Sequence, residues 1–262
     1  MNVFMIDSHA HLNDPKFARD LDQVVSRANA AGVEIIINVG YDLESSQRAV
    51  ELASQYPGLF AVVGLHPHDA KTSTPEISAE IEKLAADPKV VAIGEIGLDY
   101  YYDHSPREKQ QEVFREYYQL AAKLDLPVVI HSRKASRDTF NIVREFPQVP
   151  SLLHCYSGSL ETAQEYRKMG HYFSFGGPIT FRNAHKLRGI VAQMPLEWVL
   201  LETDCPYLTP HPYRGKRNEP SYLEYVAQKL AQIHGVSVEE IKRVTAENTR
   251  KFFRLPFKEE NK

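Results

Sequence analysis

Short apolar runs rich in valine, isoleucine and leucine alternate along the chain with longer amphipathic stretches. Runs of this length are typical of strands buried on both faces, and the stretches place apolar residues at helical spacing. The runs predict eight strands, at residues 3–8, 34–39, 60–65, 90–95, 127–131, 151–155, 172–175 and 198–202. The stretches predict eight helices, at residues 16–31, 45–55, 75–86, 106–124, 137–145, 160–169, 184–193 and 221–234.

A strand followed by a helix, repeated eight times, predicts a parallel sheet. The simplest closure of that sheet is a (β/α)8 TIM barrel. Residues 238–253 form a further amphipathic stretch, which predicts an additional C-terminal helix on the outside of the barrel. The length of 262 residues fits one barrel or two smaller domains. Because no linker-like stretch interrupts the alternation, we expect one domain over residues 1–262.

Composition and charge narrow the class of protein. The net charge of -3 argues against a surface covered with basic residues for binding double-stranded nucleic acid. A local basic groove remains compatible with this charge. The two cysteines provide no disulfide framework, and the sequence has no signal-like N-terminus and no transmembrane-length apolar run. We therefore expect a cytoplasmic location, no membrane association and no obligate protein partner.

Six metal-ligating side chains fall at the ends of predicted strands. In a parallel barrel these ends meet at one mouth, where barrel active sites lie. Any one of the six could be structural, as a surface histidine, a core histidine or a turn carboxylate. Their shared position predicts a metal centre. The six are His9, His11, Glu95, His131, His154 and Asp204.

Six donors exceed the needs of one tetrahedral zinc ion with an open position, and a carboxylate can bridge two ions. We hypothesise that His9, His11 and Asp204 hold one ion, that His131 and His154 hold the other, and that Glu95 bridges them. Imidazole with carboxylate suits Zn, Mn, Fe or Ni, whereas Mg prefers more oxygen donors. The residues alone leave the metal open.

A series of motifs along the chain resembles that of the TatD family of metal-dependent deoxyribonucleases, which is similar to the wider amidohydrolase superfamily. The motifs run in order over nearly the whole chain. They are Asp7-Ser-His-Ala-His11, Gly64-Leu-His-Pro67, Ile93-Gly-Glu-Ile-Gly-Leu-Asp-Tyr100, His131-Ser-Arg133, His154-Cys-Tyr-Ser-Gly158, Gly177-Pro-Ile-Thr-Phe-Arg-Asn183, Glu202-Thr-Asp-Cys-Pro-Tyr207 and Arg214-Gly-Lys-Arg-Asn-Glu-Pro220.

The resemblance implies the same six ligands and a 3′-to-5′ exonuclease activity supported by Mg2+ or Mn2+. It also implies DNA as the partner, often single-stranded or at 3′ ends, and a role in DNA repair or fragmentation. RNA is a further possible substrate. The resemblance also implies that His66 contacts the scissile phosphate of the substrate.

The chemistry assigns further roles around the metals. Asp204 and Glu95 are the predicted catalytic residues, because Asp204 can accept the proton of the attacking water and Glu95 bridges the ions. Glu202 is predicted to contact the substrate or to support a ligand histidine from behind. Its alternative role is an ion pair with a nearby basic residue. Guanidinium groups fit phosphate oxygens, so a basic collar that binds the substrate is predicted, although isolated basic residues are usually just solvated. Its arginines are Arg133, Arg182, Arg214 and Arg217.

Two other functions compete with the nuclease. One is a barrel hydrolase for an amide, ester or phosphotriester, such as a D-aminoacyl-tRNA, and the other is a non-catalytic metal-binding protein. Superfamily members with carbonyl chemistry often use a modified lysine at the position that Glu95 occupies here, which favours the nuclease. Cys155 and Cys205 follow ligands directly, so strand alternation predicts that they point away from the ions as small buried residues.

Overall fold

A computed structural model describes residues 4–256 of the chain. All eight predicted strands are present and form one parallel sheet in the order of the sequence. Ala10, at the end of the first strand, forms a parallel bridge with Cys205 in the segment after the last strand, so the sheet curls into a (β/α)8 barrel. The strands are β1 (Met5–Ala10), β2 (Val33–Val39), β3 (Leu59–Val63), β4 (Val90–Asp99), β5 (Val128–Arg133), β6 (Ser151–Leu153), β7 (Tyr172–Phe175) and β8 (Val199–Leu201).

The predicted barrel is confirmed within the described residues. The first predicted strand begins at residue 3, which lies outside them, as do residues 1–2 and 257–262. The extension of the single domain over residues 1–262 therefore stays a prediction.

Strand β4 is longer than the sequence predicts, and this extension shapes the site. It continues past Glu95 to Asp99 and pairs with β5 through Gly97 and His131. Gly97 has a φ of 138°, and a Cβ added there would lie 2.0 Å from the carbonyl oxygen of His131. Only glycine permits this close approach of the two backbones. The extension places Asp99 beside β5.

Nine helices occur between the strands and at the end of the described chain. The first begins later than predicted, because Pro15–Phe17 forms a separate 3-10 turn that the Asp14 carboxylate caps. The helices are α1 (Leu21–Ala30), α2 (Leu43–Gln55), α3 (Pro75–Ala85), α4 (Arg107–Leu124), α5 (Ser136–Val143), α6 (Leu160–Lys168), α7 (His185–Val191), α8 (Leu223–His234) and α9 (Val238–Phe253).

The C-terminal helix α9 has the predicted bounds and packs across one end of the barrel rather than against its side. Phe252 and Phe253 pack in the same apolar cluster as Ile6, Val129 and Leu200, whose side chains fill the barrel interior. The helix thus covers the N-terminal end of the barrel, opposite the ligand-bearing strand ends. A surface pattern of period 3.6 shows that one face is buried, but not against which partner.

The described residues contain no helix that is both long enough and apolar enough to cross a membrane.

A buried histidine outside the site predicts a pH dependence of stability. His171 is 1% exposed, and its Nδ1 accepts a hydrogen bond from the Ser151 amide at 3.2 Å. Burial lowers the pKa of His171 to about 4. Between pH 6.5 and 4 the unfolded chain binds a proton at this position that the folded chain excludes. The free energy of unfolding should therefore fall by up to about 3 kcal/mol as the pH falls through this range.

Urea unfolding of metal-stripped protein at several pH values tests this expectation. The variant His171→Asn should show a shallower loss of stability below pH 6.5, and His185→Asn, which changes an exposed histidine of α7, should match the parent. An equally steep loss in His171→Asn would contradict the assignment.

Candidate metal centre

The structure brings all six predicted ligands together at the C-terminal end of the barrel interior. They approach from β1, β4 and β5 and from the segments that follow β1, β6 and β8. Five of them line a cavity of about 700 Å3, and His9 lies fully buried beside it. The five are His11, Glu95, His131, His154 and Asp204.

One group of donors surrounds a point between His9 and His11. Their Nε2 atoms are 3.2 Å apart. The Nε2 of His9 lies 3.4 Å from Glu95 Oε2, and the Nε2 of His11 lies 3.4 Å from Asp204 Oδ1. Adjacent donors bound about 2.1 Å from one ion lie about 3.0–3.4 Å apart, so these spacings fit a shared cation. His11 donates Nδ1–H to the Val39 carbonyl at 2.8 Å, which leaves its Nε2 lone pair for a metal.

A second group forms around the other oxygen of Glu95. Oε1 of this carboxylate lies 2.9 Å from His131 Nδ1 and 2.8 Å from His154 Nε2. The two oxygens of one carboxylate thus face two different pairs of histidines, which is the arrangement that a bridging ligand requires.

The electrostatics keep Glu95 ionised although it is 4% exposed. Burial alone would raise its pKa, but His154, His66 and His131 outweigh burial and hold the pKa well below its usual range. Conversely, Glu95 and Glu202 raise the pKa of His154 well above normal against the effect of burial. A compact set of buried carboxylates and imidazoles is a preformed site for a cation.

His131 is oriented by a carboxylate that the sequence analysis did not single out. Asp99 Oδ2 accepts from His131 Nε2 at 3.0 Å and from His68 Nε2 at 3.1 Å. Its Oδ1 accepts from the amides of Tyr101 and Tyr102, both at 2.9 Å. Asp99 thereby directs Nδ1 of His131 toward Glu95. The motif around Glu95 contains Asp99. Because the sequence predicts that the strand ends at residue 95, it gives no indication that Asp99 lies beside His131.

Glu202 lies behind the site rather than in the cavity. It is fully buried, its Oε2 lies 3.6 Å from His154 Nδ1, and it accepts from the Ser174 hydroxyl at 2.5 Å. The geometry matches the role behind a ligand histidine. Substrate contact by Glu202 stays a prediction, and no part of its side chain is exposed.

Asp7 is a second buried carboxylate that the sequence analysis left without a role. It accepts from the Thr203 amide at 2.9 Å and from the Thr203 hydroxyl at 2.5 Å. Burial raises the pKa of Asp7 to about 7. These bonds join β1 to the segment after β8 and so set Asp204 opposite His9 and His11.

His66 lines the cavity as predicted. Its Nδ1 accepts from the His68 amide at 3.2 Å, and burial lowers its pKa well below normal. The neutral ring therefore carries its proton on Nε2, which lies 3.7 Å from Glu95 Oε1. His66 presents a hydrogen-bond donor to the cavity beside the ligands.

Arg133 also lines the cavity, and its guanidinium lies 4.2 Å and 4.7 Å from the ring centroids of Tyr101 and Tyr102. Among the described residues that line this cavity, Arg133 is the only lysine or arginine. These rings hold its charge at the rim, where a phosphate can reach it.

The structure places the other arginines of the predicted basic collar away from the cavity lining. Arg217 forms an ion pair with Asp20 at 2.7 Å, and Arg214 lies 3.9 Å from the Phe181 ring centroid. Arg182 is exposed on the loop after β7. None of the three arginines lines the cavity. Each belongs to a loop that follows the expected strand, but Arg214 and Arg217 find partners within the neighbouring loops.

The prediction for the cysteines holds for one of the two. Cys205 is fully buried, whereas Cys155 lines the cavity. Strand β6 ends at Leu153, and Cys155 has a φ of 43°, so strand alternation no longer applies to it. Burial raises the pKa of both thiols well above normal.

Comparisons with known proteins identify the family of this chain. The profile of the family described as TatD related DNase matches residues 6–254. The chain is 47% identical to the uncharacterized metal-dependent hydrolase YabD of Bacillus subtilis, covering 96% of this chain and 99% of that protein. It is 36% identical to the 3′-5′ ssDNA/RNA exonuclease TatD of Klebsiella pneumoniae, covering 95% and 97%.

Solved structures share the same barrel. The Escherichia coli TatD homologue YjjV superposes with a TM-score of 0.92 at 33% identity, covering 98% of this chain and all of that one. A TatD family hydrolase of Entamoeba histolytica gives a TM-score of 0.87 at 26% identity, covering 96% and 98%. The family profile over nearly the whole chain, the barrel and the hydrolase relatives together establish that this chain belongs to the TatD family and is a metal-dependent hydrolase that acts on ester bonds.

Proposed function

We propose that this enzyme hydrolyses phosphodiester bonds of single-stranded DNA from the 3′ end at a centre of two divalent metal ions. The observation that carries the proposal is the position of Glu95, whose two oxygens face separate histidine pairs. His9, His11 and Asp204 would hold one ion, and His131 and His154 the other. Mg2+ or Mn2+ are the proposed working ions, and the histidine-rich donors also suit Zn2+ or Ni2+.

When bound, two such ions activate water and stabilise negative charge on a phosphate. Of the two ligand carboxylates that line the cavity, Asp204 is the more exposed, with 14% of its side chain accessible against 5% for Glu95. His11 lowers the pKa of Asp204 against the effect of burial, so the carboxylate is ionised and able to accept a proton from the attacking water. His66 would donate Nε2–H to a nonbridging phosphate oxygen.

Two observations support an unpaired strand as substrate. The cavity of about 700 Å3 suits one or two nucleotides rather than a duplex. The Klebsiella relative is named as an exonuclease of single-stranded DNA and RNA, so RNA is a second substrate to compare. A cytoplasmic location and a role in DNA repair stay predictions.

The test is hydrolysis of a 5′-labelled single-stranded oligonucleotide by metal-stripped protein to which Mg2+ or Mn2+ is returned. We expect a ladder that shortens from the 3′ end only when an ion is present. The variant Asp204→Ala should lose this activity by about 1,000-fold or more, since it removes both a ligand and the proposed proton acceptor.

Circular dichroism and metal analysis show whether each sample is folded and loaded. Absence of cleavage by folded, metal-loaded parent protein would refute the nuclease proposal and favour an aminoacyl-tRNA or another carbonyl substrate.

A further inference from the structure

The cavity above the ligands has two chemically different sides. Strands β4 and β5 and the loops after β2 and β3 supply polar side chains, including His66, Asp99 and Arg133. The segments after β6, β7 and β8, together with α7, supply apolar side chains beside the ligands His154 and Asp204. We call four of these residues the apolar wall: Pro178, Ile179, Leu187 and Leu208.

Three residues of the apolar wall are partly exposed to solvent within the cavity: Pro178, Leu187 and Leu208. Leucine side chains are usually buried when the fold alone decides their position. Grouped apolar side chains that remain accessible beside a reaction centre are typical of a surface that a ligand covers.

The wall is preformed and tied to the metal centre. A Cβ on Gly177 would lie 1.8 Å from the Leu208 carbonyl oxygen, so the loops after β7 and β8 touch through their backbones. Arg188 donates to the carbonyls of Ile179 at 3.2 Å and Phe181 at 2.6 Å. The apolar wall therefore stands at a fixed position relative to Asp204, which precedes Leu208 in the same segment.

Leu208 itself has a φ of 52°, in the left-handed region that leucine rarely adopts. Such a conformation persists where the surrounding structure imposes it, and it often occurs at ligand sites. Here it accompanies the placement of an apolar side chain at the cavity surface rather than in the core.

The phosphate group of a nucleotide has no apolar surface for such side chains to bind. The groups that would bind its negative charges are the metal ligands, through the ions they hold, and the side chains of His66 and Arg133 on the polar side of the cavity. A nucleobase, in contrast, has two apolar faces that become accessible only when the base is unpaired and unstacked. The polar side of the cavity thus suits the phosphate of a nucleotide, and the apolar side suits its base.

We propose that the apolar wall is a base-binding subsite, which holds the unpaired base of one of the two nucleotides that flank the scissile phosphate. This inference rests on the proposed nuclease function. Contact through a base face is largely tolerant of sequence, and a paired base cannot reach the wall. The subsite therefore makes an unpaired end a requirement of the reaction.

The experiment compares oligonucleotides that differ only by an abasic residue on one or the other side of the terminal scissile bond. Leu208→Gln and Leu187→Gln should each lower kcat/KM about tenfold on the normal oligonucleotide. On one of the two abasic substrates this loss should shrink to less than about twofold, because the base that the wall binds is already absent. The parent enzyme should itself lose about tenfold on that same substrate.

Two further variants control for structure. Leu208→Met keeps an apolar side chain of similar volume, so its loss of kcat/KM should be smaller than that of Leu208→Gln. Leu120→Gln places the same polar group on a partly exposed leucine of α4, away from the cavity, and should keep the parental kcat/KM. Equal losses on normal and on both abasic substrates, or no loss in either glutamine variant, would overturn the subsite alone. Failure of the parent to cleave the normal oligonucleotide would overturn the nuclease proposal and the subsite together.

Discussion

Replacing Glu95 by alanine should abolish turnover, with a loss of at least about 1,000-fold in kcat, while the barrel remains folded. The reason is that the two oxygens of Glu95 face both groups of donors, within 3.4 Å of His9 and within 2.9 Å of His131 and His154. Without it the two groups lose their shared carboxylate, and the charge needed to bind two cations falls. Single-turnover hydrolysis of the labelled oligonucleotide measures the loss.

Metal analysis and thermal unfolding accompany this measurement. Metal bound per chain should fall in Glu95→Ala, and Glu95→Gln should resemble it because a neutral amide cannot replace a bridging carboxylate. The unfolding transition of the metal-free forms should remain cooperative. Hydrolysis at the parental rate by a variant with an intact metal content would refute the role of Glu95 as the bridge.

Removal of the Arg133 side chain should raise KM for the oligonucleotide by about 10- to 100-fold with little change in metal binding. Arg133 lines the cavity but its side chain rests on two tyrosine rings, not on a ligand. Loss of a charge-assisted bond to phosphate is worth about 1.5–3 kcal/mol, which corresponds to this change. The variant should also bind DNA with a weaker salt dependence.

Arg217→Ala provides a matched control for Arg133→Ala. The sequence predicts both arginines at the substrate, whereas the structure pairs Arg217 with Asp20 outside the cavity. The control should leave KM within about twofold of the parent. A release of metal from Arg133→Ala, or an equal rise of KM in both variants, would contradict this division of roles.

Hydrogen bonds around the site set the orientation of three imidazoles. The Val39 carbonyl holds the proton of His11 on Nδ1, Asp99 holds that of His131 on Nε2, and the His68 amide holds that of His66 on Nε2. Two of these rings thereby turn a lone pair toward the proposed cations, and the third turns a donor toward the substrate. Whether a histidine here can act as a metal ligand or as a hydrogen-bond donor to the substrate thus depends on its hydrogen-bond partner rather than on its residue type.

The alternation of apolar and amphipathic segments was enough to predict the barrel, its strand order and the shared location of the six candidate ligands. These features depend on short-range periodicity and on the rule that parallel strand ends meet at one face. His9 and His11 illustrate this, because their spacing in a strand requires both to reach the same end of β1. The motif series then identified the family, since its order along the chain needs no coordinates.

Only the tertiary structure decided which side chains turn into the cavity and which pair elsewhere. Arg217 meets Asp20 and Asp99 meets His131 through contacts between segments far apart in the sequence, and no local pattern encodes these partners. Cys155 enters the cavity because its backbone leaves the strand conformation. The apolar wall likewise gathers residues from α7 and two loops. Sequence periodicity determines which residues are buried and how strands alternate, whereas packing between distant segments determines what each exposed or functional side chain contacts.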